Sequence, residues 1–299
     1  MGRASQEAGF GEAALGGYMK TYKANTVADG FIFLEAPKWR DGKIWMSDVM
    51  GKAIYCVTED GTTEKVCDVP GMPAGIGFLS DGSLIIASLT DRKLLRWKDS
   101  ALSDFRDLSA LPGPPNDFAI DAQDRIYLGN FGCDFHGGEA LRPTPLVRLD
   151  PDGSITEVAP DMEFPNGAVI INDGRTLVVN ETWVGRVTAF DLAEDGTLSN
   201  RRIYADLGDH QPDGMCADAE GAIWVGSYNT GDFLRVLNGG EITDRIHFDG
   251  GGVSCVIGGA DGHTLFMTAY VGEEAAIAKG ARQAGLFSTK VSVGAPSNV

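Results

Sequence analysis

Residues 41–48 read DGKIWMSD, a turn followed by a strand of alternating apolar residues. The phrase returns as DGSLIIAS at 81–88, QDRIYLGN at 123–130, DGRTLVVN at 173–180, EGAIWVGS at 220–227 and DGHTLFMT at 261–268. Its equivalent apolar positions are Ile44, Leu84, Ile126, Leu177, Ile223 and Leu265, so successive copies lie 40, 42, 51, 46 and 42 residues apart. Strand-type alternation at such a period is the signature of a propeller blade. The repeat predicts an all-β, six-bladed β-propeller with four-stranded antiparallel blades around a central channel. It also directs attention to that channel, because equivalent residues of different blades converge on one axis.

Hairpin signals stand where the outer strands of a blade should meet: Asp60-Gly61, Asp152-Gly153, Asp195-Gly196 and Asn238-Gly239. Such pairs supply the positive φ of tight turns. The second copy has only KDSALSDF there, a weaker turn signal. The last copy ends in GLFSTKVSV, which leaves room for three strands, and the segment near YKANTVADG, before the first blade, is placed to supply the fourth. Such closure would leave fewer exposed edges. The expected organisation is an N-terminal arm over residues 1–22, either disordered or a short outer helix, and one propeller domain over residues 23–299. Trp45 and Trp224 share a repeat position and read as blade core. The loop from Phe131 to Pro145 is the longest insertion within a blade, and long loops in tight repeats often act as lids.

Composition narrows the function. The net charge of −17 argues against nucleic acid and anionic membrane surfaces as partners, and leaves a small-molecule substrate as the expected partner. The five cysteines, an odd number without a CxxC, argue against a disulfide framework or thiolate metal site. They fit a reducing compartment. With no long apolar run and no secretory h-region, the expected location is cytoplasmic. Oligomeric state is not legible.

About ten residues before each phrase, where the innermost strand should begin, four blades carry an oxygen-bearing side chain beside proline or a small residue. Glu35 stands 9 before Ile44, Asn116 10 before Ile126, Asn166 11 before Leu177 and Asp213 10 before Ile223. Each alone is an ordinary turn sequence; four at matching places in a repeat are a set. Two carboxylates and two amide carbonyls form a hard, all-oxygen donor group suited to a divalent cation such as Ca²⁺, Mg²⁺ or Mn²⁺. Open sites of this kind also accept Zn²⁺ or Fe²⁺. No G-x-S-x-G, HExxH, GxGxxG or P-loop pattern offers a competing chemistry. His210, three residues before Asp213, and His136, in the long loop, are candidate substrate contacts.

The motifs EAPKW, PPNDFAID, LGNFG, PTPLVRLDPDG, FPNGAVIINDGRTL, NETWVGRVTAFDL and PDGMCADAEGAIWV together resemble the SMP-30/gluconolactonase/LRE family of six-bladed propellers, over nearly the whole stretch from Glu35 to about Tyr270. The resemblance implies a metal-dependent hydrolase opening a lactone ring, typically that of a sugar acid. It implies Glu35, Asn166 and Asp213 as metal ligands, Asn116 as a further ligand or substrate contact, and Asp213 as the general base. Asp134 falls at the approximate place of an acidic substrate contact. Animal members acting on sugar lactones have Arg two residues before the equivalent of Asn116, where this chain has Pro114, so the metal site carries over better than the sugar-binding wall. The alternatives are a phosphotriester or other ester hydrolase, a metal-dependent lyase, and a non-catalytic sensor or interaction propeller.

Overall fold

The protein is described by a computed structural model over residues 19–134 and 137–297. Six antiparallel sheets make a six-bladed β-propeller, 57% strand with almost no helix. Each repeated phrase is the second strand of its blade: Lys43–Asp48, Leu84–Ser88, Ile126–Asn130, Thr176–Glu181, Ile223–Ser227 and Thr264–Val271. Their apolar anchors, Ile44 to Leu265, are all buried. Alternation puts these side chains between blades, where each contributes about 1.5–3 kcal/mol of apolar burial.

The innermost strands are Leu34–Arg40, Pro73–Phe78, Pro115–Ile120, Pro165–Ile171, Pro212–Ala217 and Gly250–Gly258. Each touches the next, and the sixth touches the first, so the ring is closed. Closure comes from the two chain ends: Asn25–Phe31 pairs antiparallel with Ala284–Lys290 and completes blade 6, as the sequence predicts. The end of the expected arm takes part in the fold, since Lys20–Thr21 pairs parallel with Ile242–His247 as a fifth strand on blade 5. There the Tyr22 hydroxyl donates to Asp244 at 2.6 Å. Residues 1–18, the rest of that arm, lie outside the described residues.

The hairpin in KDSALSDF is tighter than its sequence suggests. Lys98 pairs directly with Ala101, leaving a two-residue loop in which Asp99 and Ser100 both have positive φ, 50° and 60°. Asp is one of the few residues that tolerates this region, and the twist of the flanking strands selects the geometry. Trp224 is buried, and Trp45 packs edge-on against Phe78 with ring centroids 5.4 Å apart. All five cysteines are free. Among the described residues no helix is long and apolar enough to cross a membrane.

Closure by the N-terminal strand predicts a sharp truncation boundary. A chain beginning at Asn25 should melt close to the full-length protein. One beginning at Ile32, which loses the blade 6 strand and the buried Phe31, should melt well below it or aggregate through the freed edge. Circular dichroism melts of the two chains decide this.

Candidate functional site

Every innermost strand carries a register shift against its neighbour near its start. In blades 3, 4 and 5 two residues of the innermost strand (Asn116 and Asp117, Asn166 and Gly167, Asp213 and Gly214) oppose one residue of the second strand. A bulge bends the strand and re-aims its side chains. Glu35 holds the matching place in blade 1, just before its own shift. The equivalent residues of blades 2 and 6 are Ala74 and Val253, so the oxygen-bearing positions come from four of the six blades.

The structure brings Glu35, Asn116, Asn166 and Asp213 to one cavity of about 410 Å³. Asn166 Nδ2 donates to Asp213 Oδ1 at 2.6 Å and to Thr182 Oγ1 at 3.3 Å. Asn116 Nδ2 donates to the Pro165 carbonyl at 3.1 Å. A carbonyl can only accept, so this bond fixes the amide orientation and leaves Asn116 Oδ1 as the atom without a partner among the described residues. The Asp213 strand is pinned from behind by Asn180 Nδ2, which donates to the Asp213 carbonyl at 2.6 Å, and by Thr182 Oγ1, which donates to the Pro212 carbonyl at 2.8 Å. Gly167 permits the close approach of neighbouring inner strands: a Cβ there would lie 2.4 Å from the Asp213 carbonyl oxygen.

Among the described residues the Glu35 carboxylate has no hydrogen-bond partner, and burial, then the charges of Asp213 and Asp117, push its pKa well up. Burial likewise raises Asp213; the Asn166 hydrogen bond opposes the shift and the Asp117 charge adds to it. Like charges left in a poorly solvated site favour protonation or a bound cation. The donor set fits a hard divalent cation, with Glu35 and Asp213 supplying charge and the two amide oxygens neutral ligands. No three His, Cys, Asp or Glu side chains converge for a metal among the described residues, so such an ion would rest on this mixed set.

Of the other candidates, Asp134 is exposed at a turn, accepting from the Gly137 amide at 2.9 Å, and does not line the cavity. His210 is held in the loop before blade 5's inner strand, its Nδ1 3.1 Å from both Ser227 Oγ and Thr230 Oγ1, and is also off the wall. His136 lies outside the described residues. Two groups were not singled out by sequence. Asp117, buried beside Asn116, has its pKa raised by burial against the opposing charge of Lys38. The second group is the wall. Five residues after the apolar anchors of blades 1 to 5 stand Val49, Leu89, Phe131, Thr182 and Tyr228, all lining the cavity. The repeat could have shown them, being in phase with the phrase, but nothing chemical marks Val or Leu as a site residue.

The fold and site define a class: a six-bladed propeller with an oxygen-lined pocket at one end of its channel. The family model for the SMP-30/Gluconolactonase/LRE-like region matches residues 33–271, and the chain belongs to this family. It is similar to regucalcin of Danio rerio, 28% identical over 263 residues that cover 82% of this chain and 86% of the relative. It is also similar to the pentonolactonase of Haloferax volcanii, 26% identical over 247 residues, 80% of this chain and 82% of the relative. Among solved structures, the calcium-binding regucalcin of Agrobacterium tumefaciens shares the fold with a TM-score of 0.77 at 20% identity, covering 93% of this chain and 97% of that one.

The raised carboxylates predict a pH response in metal-free protein. A group whose folded pKa lies above its unfolded value stabilises at low pH and loses that contribution as pH rises. The Tm of EDTA-treated protein should therefore fall as pH climbs from about 4 through neutrality. Asp213→Asn should flatten the fall, and scanning fluorimetry across pH checks both. A Tm that climbs steadily over this range in the wild type, with no difference in the variant, would count against buried, mutually repelling carboxylates.

Proposed function

We propose that this protein is a divalent-cation-dependent lactone hydrolase whose working residues are Glu35, Asn116, Asn166 and Asp213. The observation that carries the reading is the convergence of these four side chains from blades 1, 3, 4 and 5 on one cavity. Family membership and the pentonolactonase relative, which by its name acts on a lactone, support it.

When bound, the cation supplies Lewis-acid polarisation of the lactone carbonyl. Glu35 and the two amide oxygens would hold it, and Asp213 would share in that role. Asp213 Oδ1 is occupied by Asn166, while Oδ2 has no hydrogen bond among the described residues and is the oxygen open to a water molecule. As the water oxygen bonds to the carbonyl carbon, Asp213 takes its proton. The ring C–O bond then breaks, the proton passes to the departing ring oxygen, and a hydroxy acid leaves.

The test is acid release followed with a pH indicator, using EDTA-treated protein with single divalent ions restored. Sugar-acid lactones, which the resemblance implies, form one arm and simple γ- and δ-lactones the other. Activity should vanish with EDTA and return with metal. Asp213→Asn should lower kcat by about 10²–10⁴ while the variant still folds. Glu35→Gln should raise the metal concentration needed for half activity before it alters kcat at saturation. Protein that binds a divalent ion but opens no lactone of either arm would overturn the reading.

A further inference from the structure

Among the described residues, the cavity wall above the four oxygen ligands is built mostly of hydrocarbon and sulfur. Blades 1 and 2 contribute Phe33, Val49, Met50, Met72 and Leu89; blades 3 and 4 contribute Phe131, Phe164 and Trp183. The short helix Glu274–Ile277, following blade 6's second strand, adds Ile277 and Ala278 from the far side.

This lining is a built feature of the repeat. Phe33, Met72 and Phe164 each stand one residue before the innermost strand of their blades. Met72 and Phe164 sit in the left-handed region, with φ of 65° and 57°, where bulky residues are rare. Such backbone persists only where its surroundings hold it. At Phe164 they include a buried acid at the end of the second strand, and an acid at the matching place of blade 1 holds Phe33. Asp48 Oδ1 accepts the Phe33 amide at 3.0 Å, and Glu181 Oε2 accepts the Glu163 amide at 2.7 Å. Glu181 is fully buried and paired with Arg186, Nη2 to Oε2 at 2.7 Å.

Two of the hydroxyls on the wall are already engaged. Thr182 Oγ1 donates to the Pro212 carbonyl, and the Tyr228 hydroxyl donates to Glu274 at 2.7 Å, tying the helix across the mouth. No Lys, Arg or His is among the described residues lining the cavity. A polyhydroxylated ring would leave its hydroxyls stripped of water without partners on this wall. An anionic substituent would meet no positive charge among the described residues of the lining. The volume, about 410 Å³, lies within the ~300–1,000 Å³ of pockets that enclose drug-sized ligands, larger than one small ring requires.

We propose that the substrate of this site is a lactone whose ring bears an aliphatic or aromatic substituent, buried against the Phe33, Met72, Leu89, Phe131 and Phe164 wall. The proposal rests on the lactone-hydrolase reading and names the substrate class within it.

The test uses the metal-loaded full-length protein and two parallel series. The first is hydrolysis of δ-lactones with alkyl side chains of increasing length and of an aryl-fused lactone, set against glucono- and xylono-lactones. The expected result is a kcat/KM that rises about threefold to fourfold per added methylene until the cavity fills, with aldonolactones at least about 100-fold below the best alkyl lactone, as expected when several hydroxyls go unpaired. Aldonolactones turned over as well as or better than alkyl lactones would overturn the substrate class and leave the hydrolase reading intact. The second series separates the two claims. Binding of the corresponding non-hydrolysable lactams is followed by calorimetry, alkyl against polyhydroxylated. Tighter binding of the alkyl lactam without turnover of any lactone would uphold the apolar-body assignment and sink the hydrolase reading. Equal or tighter binding of the polyhydroxylated lactam, or no binding of either, would overturn the assignment.

Discussion

The pairing of Asn25–Phe31 with Ala284–Lys290 is the constraint on which the rest depends. A blade buries its apolar face only against the next blade, so an open array leaves a bare face at each end. Joining the chain's beginning to its last blade removes both bare faces. Only in the closed ring does the innermost strand of blade 1 come up against that of blade 6, and only then do Glu35 and Asp213 face one cavity. The geometry of the cavity thus depends on hydrogen bonds at the propeller's rim, between a strand just ahead of Glu35 and one far beyond Asp213 in the chain.

Within the ring, the repeat assigns distinct tasks to successive positions. The apolar anchor of each second strand packs between blades. The residue four places later is polar in most blades and holds backbone: Asp48 accepts the amides of Ile32, Phe33 and Gly51, and Asn130 accepts that of Gly132. Burial by itself would raise the pKa of Glu181 at this position, but Arg186 and its other donors outweigh it and hold the carboxylate below its usual range. Glu35 and Asp213 are the opposite case. Their charges have no cationic partner among the described residues, and their pKa values rise. Buried acids that are paired belong to structure here, and buried acids that repel one another mark the place for chemistry.

Much of this was legible along the chain because it is local. A turn pair and a two-residue alternation announce a strand wherever they occur, and a fixed period adds the blade. The position ten residues ahead of the anchor follows from the same count, which is why Glu35, Asn116, Asn166 and Asp213 could be named together. Asp134 rests on its place in the family resemblance and His210 on its nearness to Asp213 in the chain, neither on a place in the repeat, and both lie off the cavity wall, engaged in local loop contacts. The turn at Asp99–Ser100 looked weak because it lacks glycine, yet strand pairing on either side imposes it.

The sequence by itself determined the number of blades, the strand that carries each phrase, the closing role of the N-terminal segment and the phase at which oxygen-bearing side chains recur. All of these depend on neighbours close in the chain or on a count along it. The character of the cavity was decided only by tertiary structure. Along the chain nothing chemical marks Phe33, Met72, Phe131 or Phe164 as site residues, and Asp117 belongs to an ordinary turn sequence. Ring closure and the bulges carry them to one space, and the left-handed backbone at Met72 and Phe164 helps to set their direction. Apolar side chains in a repeat are equally suited to a blade core and to a ligand wall. Which they become is set by whether the facing volume is filled by another blade or left open at the channel mouth.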